Sequence, residues 1–324
     1  MTQFLNSALE NVGHTPCVAL KIPDAAPVQV FAKLEMNNPT GSVKDRAASH
    51  ILSTLLAQGT IDKDTTIIES TSGNFGVALS AFCKYHGLRF IAVVDPHITL
   101  INEMLIAANG AEIVKVDQAD DFGGYLLSRI ATVRELTQSI ENCYWVNQYE
   151  NPLNAEAYYL SLGGEICEQF SELDYLFIGV SSGGTITGLS RKMKENFPDI
   201  RIVAIDVAGS KIFEGNSPRK RFIPGIGSSM RPPILQQAYI DDVVIVDDLD
   251  TCQGCQDLLA HQSIFAGGSS GSVYAGLQRY FADRKLEQPA NALALLPDRG
   301  ERYFNTVYNA EWVQKVVSHS EIAV

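Results

Sequence analysis

The 324 residues contain no apolar run long enough to cross a bilayer, no internal repeat and no low-complexity tract. The opening MTQFLNSALE has neither the basic flank nor the apolar stretch of a secretory leader, which predicts a cytoplasmic protein. Positive charge is in short supply: 25 lysines and arginines face 37 aspartates and glutamates, for a net charge of −12. That balance argues against nucleic acid or an anionic membrane as the principal partner. Cysteine is scarce too, six in all, and only Cys252 and Cys255 stand at motif spacing, in TCQGC. Such a pair can be a redox dithiol or half of a zinc site. No second CxxC and no neighbouring histidine pair completes a tetrahedral set, so no metal centre is predicted. The plainer expectation is one helix carrying two semi-buried thiols. What the chain does have is apolar residues, 46% against 19% charged, enough for a sizeable core.

Strand-like and helix-like segments alternate from about residue 66. TTIIEST (65–71), FIAVVD (90–95), AEIVKVD (111–117) and YWVNQY (144–149) read as strands between segments of helical periodicity, two of which stop at Gly87 and Gly110. A second series begins near residue 154 with one long helical stretch, NAEAYYLSLGGEICEQF. It continues through YLFIGV (175–180), RIVAIDV (201–207), VVIVDD (243–248) and ALALLP (292–297). Near-continuous apolar strands between amphipathic helices predict parallel sheets covered on both faces. We expect an α/β protein of two lobes with a cleft between them. Residues 38–150 would form a smaller, mobile lobe, and residues 1–37 with 151–324 a larger one. Residues 208–235, rich in Gly, Pro, Ser and basic side chains, predict a long irregular loop of the kind that serves function.

NNPTGSVKDR (37–46) follows the alternating segment VQVFAKLE (28–35) and precedes the helical DRAASHILSTLLAQG, which sets Lys44 where a strand gives way to a helix. A lone lysine is ordinarily a solvated charge. Here two turns rich in glycine and serine, STSGNFG (70–76) and SSGGTITG (181–188), stand at comparable strand-to-helix junctions, and a third, FAGGSSGS (265–272), precedes the helix that starts near Ser269. In a parallel sheet such turns lie at the carboxyl edges of the strands, where ligands bind. Small residues let the backbone approach a ligand, and N–H groups at a helix start favour anions. Each turn alone is also a plain cap; their conjunction with Lys44 is the specific signal. A competing signature lies in the same stretch, since Gly179-Val-Ser181-Ser-Gly183 fits the G-x-S-x-G elbow of α/β-hydrolases. That fold needs a later acid and histidine. Only His261 and His319 lie downstream, and the pattern leaves Lys44 and TSGN unexplained.

Taken in order, VGHTPCVAL (12–20), PTGSVKDR (39–46), TSGN (71–74), NQYENP (147–152), SSGGT (181–185), PGIGSS (224–229), GGSSG (267–271) and LPDRGERY (296–303) resemble the fold-type II pyridoxal-phosphate enzymes of the cysteine synthase group. The resemblance covers nearly the whole chain. It implies a tryptophan synthase β-like fold with pyridoxal 5′-phosphate in the cleft between the lobes, and a homodimer. It implies that Lys44 carries the cofactor and acts as acid and base. Ser181, Ser182, Gly183, Gly184 and Thr185 would hold the phosphate, Asn74 the ring hydroxyl, and Ser269 the pyridine nitrogen. A neutral serine there cannot hold the nitrogen protonated by charge, which suits β-elimination better than transamination. Thr71, Ser72 and Gln148 would grip the substrate α-carboxylate.

Several positions depart from the sulfide-using members. Phe75 replaces the second threonine of TSGNTG, Tyr149 follows Gln148 in place of phenylalanine, and Asp298 and Arg299 stand where small residues are commoner. A second amino acid, unlike sulfide, needs cationic and hydrogen-bonding partners. VVDPHIT (93–99), GGYLLSRIA (123–131), YWVNQYEN (144–151) and IFAGGSSGS (264–272) resemble the branch that makes N-(2-amino-2-carboxyethyl)-L-glutamate, a source of 2,3-diaminopropionate for siderophores. The implied reaction joins O-phospho-L-serine to L-glutamate and releases phosphate. Arg129 and Tyr149 are the expected contacts for glutamate. The alternatives are a cysteine synthase using O-acetylserine or O-phosphoserine with sulfide, a threonine or serine dehydratase, and a non-catalytic sensor or binding homologue.

Overall fold

In β3 (Thr66–Ser70), Ile67 and Ile68 are both fully buried although they point to opposite faces. That is the signature of a parallel strand packed on both sides, and it recurs through the fold. The computed structural model describes residues 4–22, 27–119, 124–213, 221–282, 284 and 286–322. Gly123 and residues 214–220, parts of two segments singled out in the sequence, lie outside that set.

The strands are β1 (Cys17–Leu20), β2 (Val28–Leu34), β3, β4 (Arg89–Val94), β5 (Glu112–Lys115), β6 (Cys143–Trp145), β7 (Tyr175–Gly179), β8 (Arg201–Val207), β9 (Asp242–Val246) and β10 (Ala290–Leu296). The helices are α1 (Lys44–Ala57), α2 (Asn74–His86), α3 (Leu100–Ala108), α4 (Leu126–Ser139), α5 (Pro152–Ala157), α6 (Gly163–Gln169), α7 (Gly184–Asn196), α8 (Asp248–Gln262), α9 (Gly268–Ala282) and α10 (Ala310–Ile322). Two sheets result. One has the order β1-β2-β10-β7-β8-β9, parallel except for β1 against β2; the other, β5-β4-β3-β6, is parallel throughout. One apolar core runs between the sheets, joining Ile67 and Ala92 of the smaller to Leu176 and Ile202 of the larger. The outer faces have their own cores, Phe177 and Val203 under α9, and Ile68 and Val93 under α4. Among the described residues no helix is long and apolar enough to cross a membrane.

The structure corrects several sequence expectations. The strand expected over 144–149 ends at Trp145, because Asn147 takes a left-handed φ of 50° and turns the chain out of the sheet. The helix expected over 154–170 starts earlier, at Pro152, with Asn151 capping Leu153 N–H, and a π turn at Tyr158–Leu162 interrupts it. Cys252 and Cys255 share α8 but are fully buried rather than half-buried, and burial pushes the Cys252 thiol up to about 12. Strand β1 was not evident from the pattern at all.

Beneath α1 lies a buried cluster of charges. Arg46 binds Glu35 through Nε (2.7 Å) and Nη2 (2.8 Å), and Glu165 through Nη1 (2.7 Å) and Nη2 (3.0 Å). Lys33 completes it with bonds to Glu165 (2.8 Å) and the Thr15 carbonyl (2.7 Å). Burial raises the Glu165 carboxyl, but Arg46 and Lys33 outweigh it and hold the group down at about 2, below its ordinary 4.5. Stability from this depression is fully present above pH 4.5 and is lost as pH falls through about 2. Its size is about 3 kcal/mol. Glu165→Gln should therefore flatten the decline in denaturant midpoint between pH 4.5 and 2, and Arg46→Ala should cost about 3–5 kcal/mol at neutral pH by stranding two carboxylates. Urea melts across that pH range check both outcomes.

Candidate active site

Strands β10 and β7 are neighbours, so the residues that follow them come together at the carboxyl edge of the larger sheet. The segment after β10 acts as a crosspiece. Val43 N–H donates to the Pro297 carbonyl (2.8 Å) and Arg299 N–H to Gly41 (3.3 Å), which fixes the turn before Lys44. Gly267 N–H donates to the Asp298 carbonyl (2.9 Å) and Gly300 N–H to Phe265 (3.0 Å), which fixes the turn before Ser269. Arg299 Nε binds the Met36 carbonyl (2.8 Å), and Arg302 donates to the carbonyl of Thr40 and the side-chain oxygen of Asn74.

Lys44, Asn74, Ser181, Ser182, Gly183, Thr185 and Ser269 all line one pocket, with about 530 Å³ of space free of protein atoms, part of it open to solvent. Lys44 opens α1 and donates from Nζ to Ser182 Oγ at 3.3 Å. Burial lowers its amine to about 8, so a minority, about a fifth, is neutral near physiological pH. Gly183 stands before α7 with φ 88°, a conformation that needs glycine. Gly184, next in the chain, packs so closely on Asn154 that a Cβ would lie 2.4 Å from its amide. Ser181 Oγ donates to the Gly227 carbonyl (3.1 Å) rather than to a histidine, which leaves the hydrolase elbow without a base among the described contacts. Ser269 opens the first turn of α9 and donates to Asp298 (3.3 Å).

A second group surrounds the turn between β3 and α2. Thr71 is buried and its N–H donates to Val93 (2.9 Å), extending the sheet by one residue. Ser72 Oγ donates to Asp95 (2.8 Å) and accepts from Arg129 Nη1 (3.3 Å), while Arg129 Nε lies 3.2 Å from Asp95. Gln148 is buried with its amide 3.4 Å from the Ser70 carbonyl. Tyr149 is buried beside it; burial raises its phenol, and the charges of Arg129 and Arg221 oppose that. Sequence reading missed Asp95, which follows β4 directly at the carboxyl edge next to β3 and could have been found by that position alone. It also missed Asp298 as a partner of Asn74 and Ser269, although its departure from the sulfide-using pattern marked it.

A partly neutral amine, a glycine-bounded helix start and hydroxyls on one pocket wall suit a small ligand with an aldehyde and a phosphate. The residues therefore fit pyridoxal phosphate.

Residues 8–298 match the family model described as pyridoxal-phosphate dependent enzyme. The chain is 44% identical over 314 residues to an N-(2-amino-2-carboxyethyl)-L-glutamate synthase from Ralstonia nicotianae, covering 96% of this chain and 92% of that protein. Among solved structures it resembles an O-acetylserine dependent cystathionine β-synthase from Helicobacter pylori, with TM-score 0.88 and 30% identity, covering 95% of this chain and 100% of that one. It also resembles O-ureido-L-serine synthase, with TM-score 0.86 and 29% identity, covering 95% and 96% of the two chains.

The lowered Lys44 amine gives a direct test. Treating the cofactor-free protein with a small aldehyde and borohydride should label Lys44 ahead of the other lysines. Its rate should rise with pH and level off above about 8, since only the neutral amine reacts. Peptide mass mapping reads the site; uniform labelling would remove Lys44 from this role.

Proposed function

The chain belongs to the pyridoxal-phosphate dependent enzymes, and from that premise we infer that it joins O-phospho-L-serine to L-glutamate, giving N-(2-amino-2-carboxyethyl)-L-glutamate and phosphate. The 44% identity along almost the full length of both chains carries this reading. When bound, pyridoxal phosphate supplies the electron sink that a β-replacement on an amino acid requires.

The chain's own residues take up the remaining tasks. Lys44 holds the cofactor at its aldehyde carbon and moves the substrate α-proton, for which an amine lowered to about 8 is suited. Ser181, Ser182, Gly183, Gly184 and Thr185 hold the phosphate at the start of α7. Asn74 holds the ring hydroxyl and Ser269 meets the ring nitrogen. Thr71, Ser72 and Gln148 bind the α-carboxylate, and residues 38–150 draw over the pocket to exclude water. Arg129 and Tyr149 receive glutamate; the Asp95 bond leaves Arg129 poised beside Ser72. A cytoplasmic homodimer supplying 2,3-diaminopropionate for siderophore assembly completes the proposal, supported by the same resemblance.

Incubating the holoenzyme with O-phosphoserine, glutamate, other amines and sulfide, with products identified by mass, tests the reaction. The glutamate adduct should dominate. If sulfide wins by kcat/KM, the protein is a cysteine synthase instead. Tyr149→Phe and Arg129→Ala should leave first-turnover phosphate release nearly unchanged while raising KM for glutamate roughly tenfold, the loss of one hydrogen bond to a charged group. If Arg129→Ala instead halts phosphate release, Arg129 serves the Ser72 turn and not glutamate.

A further inference from the structure

The strip 225–229 belongs to the wall of the pocket. Gly225 lines the pocket, Gly227 N–H donates to the Val180 carbonyl (2.8 Å), and the Gly227 carbonyl accepts from Ser181 Oγ (3.1 Å). Arg221 lays its guanidinium on this strip. A Cβ on Gly227, which takes a φ of 71°, would lie 3.0 Å from Arg221 Nη1. Nη1 donates to the Ile226 carbonyl at 3.4 Å and Nη2 to Ser229 Oγ at 3.0 Å.

A guanidinium carries five N–H donors and stays charged, so most of the donors of Arg221 are unspent. Among the described residues it joins no ion pair. Burial disfavours its charge, and the pull of Asp206 and Asp248 from farther off only partly offsets that. An incoming anion would supply the missing counter-charge. Arg129 differs, because its Nε already lies 3.2 Å from Asp95. The buried Tyr149 phenol lies within the field of both cations, one carried by α4 of the smaller sheet and the other by a loop of the larger.

Glutamate has two carboxylates to place. Its amine must reach the reacting carbon, and the α-carboxylate shares a carbon with that amine. The α-carboxylate therefore stays beside the first amino acid, near the Ser72 turn to which Arg129 is bonded. We propose that Arg221 is a specificity-determining residue that receives the side-chain carboxylate of the incoming glutamate, across the pocket from Arg129. This deepens the reading above and rests on it, since glutamate must be the second substrate. Glutamine, nearly the same in size, would set a neutral amide against the cation and leave it without a counter-charge.

Holoenzyme given O-phosphoserine with either L-glutamate or L-glutamine, and adducts quantified by mass, reads kcat/KM for each amine. The wild type should favour glutamate roughly ten- to a hundredfold, the worth of hydrogen bonds to a charged group. Arg221→Gln should abolish that preference, mainly by raising KM for glutamate, and Arg221→Lys should restore part of it. A wild type that uses glutamine as well as glutamate overturns the proposal even if no variant folds. So does an Arg221→Gln variant that loses both amines in equal proportion, because Arg221 then only braces residues 225–229. If Arg221→Gln instead raises the O-phosphoserine concentration needed for first-turnover phosphate release, the guanidinium serves the phosphate and the proposal falls. A wild type that forms no adduct with either amine defeats the underlying reading, a result distinct from lost discrimination, and the proposal goes with it.

Discussion

The bidentate grip of Arg46 on Glu35 and Glu165 is the constraint from which the arrangement of the pocket follows. Arg46 lies two residues after Lys44 in the first turn of α1, Glu35 just beyond β2, and Glu165 on α6. Burying four charged groups costs several kcal/mol each, which the close pairing only offsets. Beyond the pH-dependent share carried by Glu165, the cluster therefore contributes little net stability. It does forbid alternatives, because any shift of α1 strands at least one charge without its partner. Lys44 inherits its direction from that intolerance.

The crosspiece after β10 extends the same logic to the other walls. Three stretches far apart in sequence, 36–43, 265–269 and 297–303, are knit by backbone and arginine hydrogen bonds into one unit. The lysine turn and the serine turn thus cannot drift relative to each other. By contrast, the turn at Thr71–Asn74 is held from the smaller sheet, through Val93, Asp95 and Arg129. Among the described residues, Asn74 is the one residue of this turn whose side chain reaches across, to Arg302 and Asp298. The two sheets share one apolar core, which favours small sliding displacements over a wide hinge.

Much of this was legible in the chain. The parallel α/β class followed from strands apolar on both faces, and β8 matches the expected 201–207 at both ends. Lys44 and the turn at 181–185 were visible because glycine and small hydroxyl residues punctuate strand-to-helix junctions. The turn at 267–271 was visible because the same residue types open a helix, although there the element before it is helix α8 and not a strand. The exit of the chain from the sheet after Trp145 was not, since Tyr144, Trp145 and Val146 all favour strands and only tertiary contacts decide where pairing stops. Nor was the burial of Asp298: a carboxylate in a short loop reads as solvated until the fold shows that Tyr303, Asn74 and Ser269 enclose it. Long-range side-chain partnership has no local signature.

Gly184 and Gly188 sit four residues apart on α7 and press on α5, where a Cβ on Gly188 would lie 2.1 Å from the Ala155 carbonyl. Asn154, the residue that Gly184 touches, also donates to the Gln148 carbonyl at 2.6 Å. One side chain thus spans the pocket's helix start and the residue beside the Thr71 turn. This makes α5 a ruler of fixed length between the two ends of the site. That distance cannot change without breaking the glycine contacts. On the function proposed above, selection among substrates of different size would fall to the opposite side, where the hydrogen bonds of Ser72, Asp95 and Arg129 do not involve α5.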